Sequence, residues 1–296
     1  MELNPEGKHE QQSFEKFIPL DKSWIIRMGV MDLIHGYTDI QKFLSKQKNL
    51  NSDLLALKHV TKLWNTDIPF IDVGESGTLY RLLQFASWKL HLNKQFIKRG
   101  TLKDRSITND PSIVNLSLEE LLKLDNETSQ WATASVLLGN RERIANPPFK
   151  LQQTFDAVDH WNKQRAAGLA WEPKHDETIK NQAETFITLL KGKQAKFNPK
   201  HSEDYCFARV FEYITKEEGE KRWPSLRGHE TDRIEEMEKA IAQAKVGKPV
   251  DSKDHRVVQT IAMWGAVNKK KIKFTHPEAV NKSWPKFWEF LAEATK

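Results

Sequence analysis

Arg227-Gly228-His229-Glu230-Thr231-Asp232-Arg233 is the stretch whose reading decides the fold. Two arginines and a histidine surround two acidic residues in front of an apolar run at helical spacing, Ile234, Met237, Ile241 and Ala244. That spacing predicts a helix with Thr231 as its N-cap. The charged cluster then stands at a helix mouth, where backbone N–H groups and the helix dipole favour an anion. Glu230 and Arg233 are also spaced for a surface ion pair, worth about 0.2–0.5 kcal/mol.

The composition of this mouth recurs. Asp21-Lys22-Ser23 precedes an apolar run over 24–35, with Arg27 one turn in. Thr128-Ser129-Gln130 precedes 131–138, Asp254-His255-Arg256 precedes 257–267, and Lys282-Ser283 precedes 284–292. Carboxylates complement the dipole at a helix start, whereas lysine and arginine there are unfavourable unless an anion joins them. Apart from Asp254, Arg256 and Lys282 have no carboxylate at helical spacing. Ser23, Thr128 and Ser129 are equally good helix caps with no ligand.

Between these mouths the pattern predicts strands over 67–73, 95–99 and 271–274, with a short one at 18–20. Gly74 and Gly77 turn the first of them into a helix near Thr78. Further helices are predicted from Ser52, from Pro147-Pro148, over 176–190 and over 203–214. The segment 165–175 reads as a loop, and 191–202, with Gly192 and Pro199, as the crossing between two domains.

Composition narrows the function classes. A length of 296 residues suggests two domains. No apolar run approaches a membrane span, the first residues lack the apolar core of a signal peptide, and a single cysteine suits the cytosol; a cytoplasmic protein is expected. Cys206 sits in an apolar run and reads as core. No Cys/His spacing suggests a metal. The net charge of +6 raises nucleic-acid binding, but the one basic run, Lys269-Lys270-Lys271, reads as a solvated turn or guarded edge strand. A pocket for phosphorylated metabolites accounts for the excess of cations instead.

Seven segments, in order along the chain, resemble the 5-enolpyruvylshikimate-3-phosphate synthase family: Lys22-Ser23-Trp24-Ile25-Ile26-Arg27, the loop and helix from Gly74 to Arg81, the run from Arg99 to Arg105, Thr128-Ser129-Gln130, Glu230-Thr231-Asp232-Arg233, Asp254-His255-Arg256 and Lys282-Ser283-Trp284-Pro285. The resemblance implies an α/β (α+β) fold of two domains built from repeated βαβαββ units, an inside-out α/β barrel with about one repeat missing. It places one domain at 21–195 and the other at 1–20 with 196–296, and puts ligands in the cleft between them. It implies transfer of the enolpyruvyl group of phosphoenolpyruvate to the 5-hydroxyl of shikimate 3-phosphate, through protonation of the vinyl carbon, a tetrahedral adduct and expulsion of phosphate. The partners would be these two substrates alone, with no cofactor, metal or nucleic acid, and the chain a monomer.

Under this resemblance Lys22, Arg105, Arg233, Arg256 and Lys282 hold phosphoenolpyruvate with the backbone N–H groups near Gly77. Ser23, Arg27, Thr128, Ser129 and Gln130 hold the shikimate phosphate and hydroxyls. Glu230 transfers the proton at the vinyl carbon and Asp204 takes the hydroxyl proton, with Glu203 and Asp176 as competitors for that role; Lys22 counts among the catalytic groups. Arg81 and Asp53 are expected to be structural. The chain departs from the family in having His229 where a lysine is usual and Phe149 where an aromatic hydroxyl is usual. It also lacks the repeat expected between Phe149 and Asp204. A different acceptor, or a silent relative that binds phosphorylated metabolites, are the alternative readings.

Overall fold

A computed structural model of the chain describes residues 14–125, 128–227 and 232–296. The chain divides into two compact units, Asp21–Lys174 and His175–Lys296, the latter joined by the segment that precedes Asp21.

The first unit is organised around α1 (Lys22–Ile34). Asp21 caps it, its side chain accepting from the Trp24 N–H at 3.0 Å. The helix is apolar on every side: Ile25, Ile26, Met28, Val30, Met31 and Leu33 are all buried, as a helix enclosed by others requires. Gly29 permits the closest approach, since a Cβ there would lie 2.9 Å from both Ile40 and Leu57. Those residues belong to α2 (Asp39–Lys46) and α3 (Ser52–Leu63), which pack on α1. Around them come α4 (Gly77–Lys89), the short α5 (Leu118–Leu121), α6 (Gln130–Leu137) and α7 (Phe149–Ala166).

Asp32, near the end of α1, is fully buried and ties four segments together. It accepts hydrogen bonds from the Ile40 N–H at 2.9 Å, the Trp161 indole at 2.9 Å, the Trp171 indole at 3.0 Å and Arg165 Nη2 at 2.6 Å. A carboxylate inside a protein survives only with such a full set of donors.

The second unit contains α8 (Glu177–Leu190), α9 (Tyr205–Val210), α10 (Lys216–Arg222), α11 (Arg233–Lys245), α12 (His255–Val267) and α13 (Phe287–Ala294). Here α12 is the enclosed helix. One side of it meets Tyr205, Met237 and Ile241, and the other meets Phe186, Phe207, Trp284 and Phe290. The boundary falls at 174–175 rather than in 191–202 because the apolar face of α8, Ile179, Ala183 and Phe186, is buried in this second core.

The α/β expectation is corrected: the chain is mostly helical and is not an inside-out barrel of βαβαββ units. Among the described residues the strands are β1 (Phe70–Asp72) and β2 (Gln95–Ile97), paired in parallel with Ile71 opposite Phe96. The runs at 18–20 and 271–274 supply only isolated bridges, Leu20 with His175 and Val250 with Phe274. Two features explain the shortfall. Pro69 cannot donate to a ladder, so the 67–73 run shrinks to three paired residues. Elsewhere, helices stop at left-handed glycines, Gly36, Gly139, Gly168, Gly192 and Gly247. The chain beyond them continues as loop or as the next helix, without the hairpins that a βαβαββ unit needs. Among the described residues no helix is long and apolar enough to cross a membrane.

Asp32→Ala is expected to destabilise the protein by about 3–5 kcal/mol, because it strands two indole N–H groups in the core and removes one of the two carboxylates that meet Arg165. Urea unfolding of the full chain checks this; a loss below about 1 kcal/mol would show that the network is dispensable.

Candidate functional site

Within the first unit, the starts of five helices meet. Lys22, the first residue of α1, donates to Asp53 in the first turn of α3 at 2.9 Å. Gly74, in the loop leading to α4, lies against Ala56 of α3. Gln130, the first residue of α6, donates to Thr78 Oγ1 at the start of α4 at 2.9 Å. Arg27, one turn into α1, is buried and donates to Thr154 Oγ1 at 2.8 Å, to the Lys150 carbonyl at 3.0 Å and to the Ser23 carbonyl at 2.9 Å. Thr154 of α7 in turn meets Thr133 of α6 at 3.0 Å.

The densest charge lies at Gly77. A Cβ on that residue would stand 3.0 Å from Arg105 Nη1 and 3.2 Å from Arg81 Nη1, so two guanidiniums rest against bare backbone at the first turn of α4. Arg105 also donates to Thr101 Oγ1 at 3.1 Å. Arg81 donates to Asp125 Oδ2 at 2.7 Å and to Gln130 Oε1 at 2.9 Å. Asp125 accepts further from the Thr108 N–H and hydroxyl and from the Trp131 indole. Burial pulls the Arg81 guanidinium below its ordinary range, the Asp125 carboxylate opposes the shift, and the neighbouring Arg105 adds to it. Burial raises Asp125, but hydrogen bonds from Thr108 and Arg81 outweigh it and hold the carboxyl below the usual range. Backbone N–H groups in the first turn of a helix have no intrahelical acceptor, so this corner presents donors and positive charge together.

The hydroxyls at these mouths are not the caps. Asp21 caps α1, which leaves Ser23 inside the helix. Ser129 occupies the N-cap position of α6 but makes no side-chain cap bond. Thr128 is half-buried beside it and hydrogen-bonds through its backbone N–H to Leu124.

In the second unit, four helical starts meet at α12. Arg233, the first residue of α11, donates to Asp254 Oδ2 at 2.7 Å, both groups buried. Asp254 is the N-cap of α12 and accepts from the Arg256 N–H at 2.8 Å. The Arg256 side chain, only 3% exposed, places Nη2 3.3 Å from Glu203 and 3.9 Å from Asp176, the N-cap of α8. Among the described residues Arg256 Nη1 has no hydrogen-bond partner. The sequence shows no carboxylate for Arg256 other than Asp254; the fold supplies Glu203 and Asp176 from distant segments. Lys282 ends the turn Pro277–Lys282, and the next residue, Ser283, accepts from Gln259 of α12 at 2.9 Å.

Asp204 is buried and held by its own loop: it accepts from the Lys200 N–H at 2.9 Å, the His201 N–H at 3.4 Å and Gln182 Nε2 at 3.2 Å. Glu203, not Asp204, is the carboxylate that faces Arg256 Nη2 within hydrogen-bond reach. Glu230, with His229 and Thr231, lies outside the described residues. Asp232 rather than Thr231 caps α11, accepting from the Glu235 N–H at 3.1 Å. Cys206 is buried in the core, where burial pushes its thiol up. Among the described residues no group of three or more His, Cys, Asp or Glu side chains is placed to hold a metal.

Lys22, Ser23, Gly77, Gln130, Arg233 and Arg256 stand in the first turns of their helices, where their segments place them. The Asp125 network and the Glu203–Arg256–Asp176 grouping were not visible in the sequence, because each joins segments far apart in sequence. Comparison with protein-family models, curated proteins and solved structures returns no match.

A carboxyl whose folded pKa is depressed adds stability above its unfolded value, ordinarily near 3.8, and loses that contribution as pH falls through the folded value. Asp125→Asn keeps the left-handed backbone that Asp125 adopts, with φ of 49°. It is expected to lower stability at pH 7 by about 1–3 kcal/mol and to cost less at pH ~3. Thermal unfolding at both pH values checks this; an equal loss at each would remove the carboxylate from the explanation.

Proposed function

We propose that the chain is an enolpyruvyl transferase that uses phosphoenolpyruvate as donor and shikimate 3-phosphate as acceptor and releases phosphate. One observation carries the reading. Lys22 and Gln130 stand at helix starts that abut other helix starts, and Arg105, from a bend, lies beside Arg81 on Gly77. The corrected fold removes the strand layer that the resemblance implied; it leaves the helix starts, and these carry Lys22, Gly77 and Gln130.

Arg105, Lys22 and the N–H groups at Gly77 suit a small dianion with a carboxylate, because guanidinium pairs with such oxygens in a fork. Ser23, Ser129, Thr128 and Gln130 suit the hydroxyls and phosphate of the acceptor, and Arg27 acts from the core by fixing the start of α1 against α7. Arg233, Arg256, Lys282, Glu230 and Asp204 belong to the second unit and hold only the roles that the resemblance implies for them; within that unit Glu203, not Asp204, lies against Arg256.

A second reading, a silent relative that binds phosphorylated metabolites, is favoured by a different observation. Arg233 and Arg256 are already met by Asp254, Glu203 and Asp176, so an incoming anion must compete with fixed carboxylates.

Phosphate release on mixing the full chain with phosphoenolpyruvate and shikimate 3-phosphate separates the two. Turnover establishes the first; calorimetric binding of phosphoenolpyruvate without release establishes the second; neither binding nor release refutes both. Arg105→Ala, at a half-exposed site, is expected to weaken phosphoenolpyruvate binding by about 1.5–3 kcal/mol, as for a charge-assisted contact. Unchanged affinity would take Arg105 out of the site.

A further inference from the structure

The second unit holds a cavity of about 340 Å³ that belongs to none of the helix starts. It lies where α9, α11 and α12 end. Phe211, Ile241, Ile261 and Trp264 wall it, and Glu212, Lys245 and Asn268 stand at its polar rim. Its size falls within the range of small-molecule sites, roughly 300–1,000 Å³.

Three features of the rim define a ligand. First, the C-terminal ends of three helices meet there, and a helix C-terminus attracts positive charge. Glu212, exposed and with a left-handed backbone φ of 61°, adds a formal negative charge. Second, Lys245 in the last turn of α11 offers a cation. Arg209, also on the rim, is bound to Glu238 through two hydrogen bonds of 2.7 and 2.9 Å, whereas Lys245 has no carboxylate partner among the described residues. Third, the floor is apolar and partly aromatic: Ile261 is fully buried, and Trp264, with Lys270 Nζ 5.1 Å from its ring centre, stays half-exposed.

A rim with both signs of charge above an apolar floor fits a small zwitterion with an apolar tail. We infer that this hollow binds a free α-amino acid with a large apolar side chain: the ammonium at Glu212 and the helix ends, the carboxylate at Lys245, the side chain against Ile241, Ile261 and Trp264. A plain apolar anion would meet three negative helix ends, and a plain amine would meet Lys245; the zwitterion avoids both repulsions. The site is independent of the transferase reading, since it shares no residue with it.

The test is calorimetric titration of the full chain with L-phenylalanine and L-leucine, against 3-phenylpropionate and phenethylamine, which each lack one charge. The amino acids are expected to bind at least about tenfold more tightly than either analogue, the effect of one charge-assisted contact. Lys245→Glu, at an exposed position, is expected to weaken amino-acid binding about tenfold or more while leaving the helical circular dichroism unchanged and lowering the unfolding temperature by no more than about 2–4 °C, the effect of reversing a charge at a helix end. Ile241→Trp is expected to fill the hollow and abolish binding. Equal binding of all four compounds, unchanged affinity in Lys245→Glu, or no amino-acid binding at millimolar concentration would each overturn the assignment.

Discussion

A charge withdrawn from water must find a counter-charge or a complete set of hydrogen bonds, and this requirement organises both units. The penalty for an unmatched buried ion is several kcal/mol even after relaxation. Asp32, Arg27, Arg233, Asp254 and Arg256 are all nearly inaccessible, and each is met by groups from other segments. Three of them, Arg27, Asp32 and Arg256, also sit in the enclosed helix of their unit. Matching their charges therefore fixes where neighbouring helices begin: α7 must present Thr154 and the Lys150 carbonyl to Arg27, and α11 must present Arg233 to Asp254. Apolar packing drives the helices together, but it tolerates sliding; a buried ion pair does not, because a shift of one turn leaves both partners unsatisfied.

This explains which parts of the molecule were legible in the sequence. Helices were, because they need only local information: the 3.6-residue apolar spacing and the stop glycines are read within one segment, although the cap of α1 is Asp21 rather than the expected Ser23. Thr231 was misread for a similarly local reason, since Asp232 beside it is an equally good cap and sits one residue closer to the apolar run. Strands were legible only in part: 67–73 and 95–99 each keep three paired residues, and 18–20 and 271–274 supply isolated bridges. A stretch such as 67–73 has strand composition, but a strand exists only if a partner offers its edge, and here only Gln95–Ile97 does so. The predicted sheets failed for want of partners, not of β-branched residues.

The candidate site shows the same division. That Lys22, Gln130, Arg233 and Arg256 stand at helix starts is a property of each segment and is read from it; Lys282 instead ends a turn ahead of α13, and Arg105 lies in a bend. Which starts adjoin within a unit is a tertiary fact. So is the neutralisation of Arg256 by Glu203 and Asp176, residues 53 and 80 positions before it. The pairing lowers the positive potential that an isolated reading of Asp254-His255-Arg256 suggests; in the first unit, separately, Arg81 and Arg105 adjoin at Gly77 and Asp125 engages Arg81.

The second unit carries its polarity along its helices. At their starts, α11 and α12 bury charge that is matched at short range, and the cap Asp254 locks the two helices together. At their ends the same helices splay around an apolar hollow whose charged groups, Glu212 and Lys245, lie in solvent. A matched, buried network resists change because displacing one partner strands the other. Solvent-facing charges above a greasy floor exchange partners at little cost, since water solvates them in either state. The end that holds this unit together and the end free to adapt to a small molecule are thus opposite ends of the same two helices, and substitutions at the hollow are separable from substitutions at the Arg233–Asp254 lock.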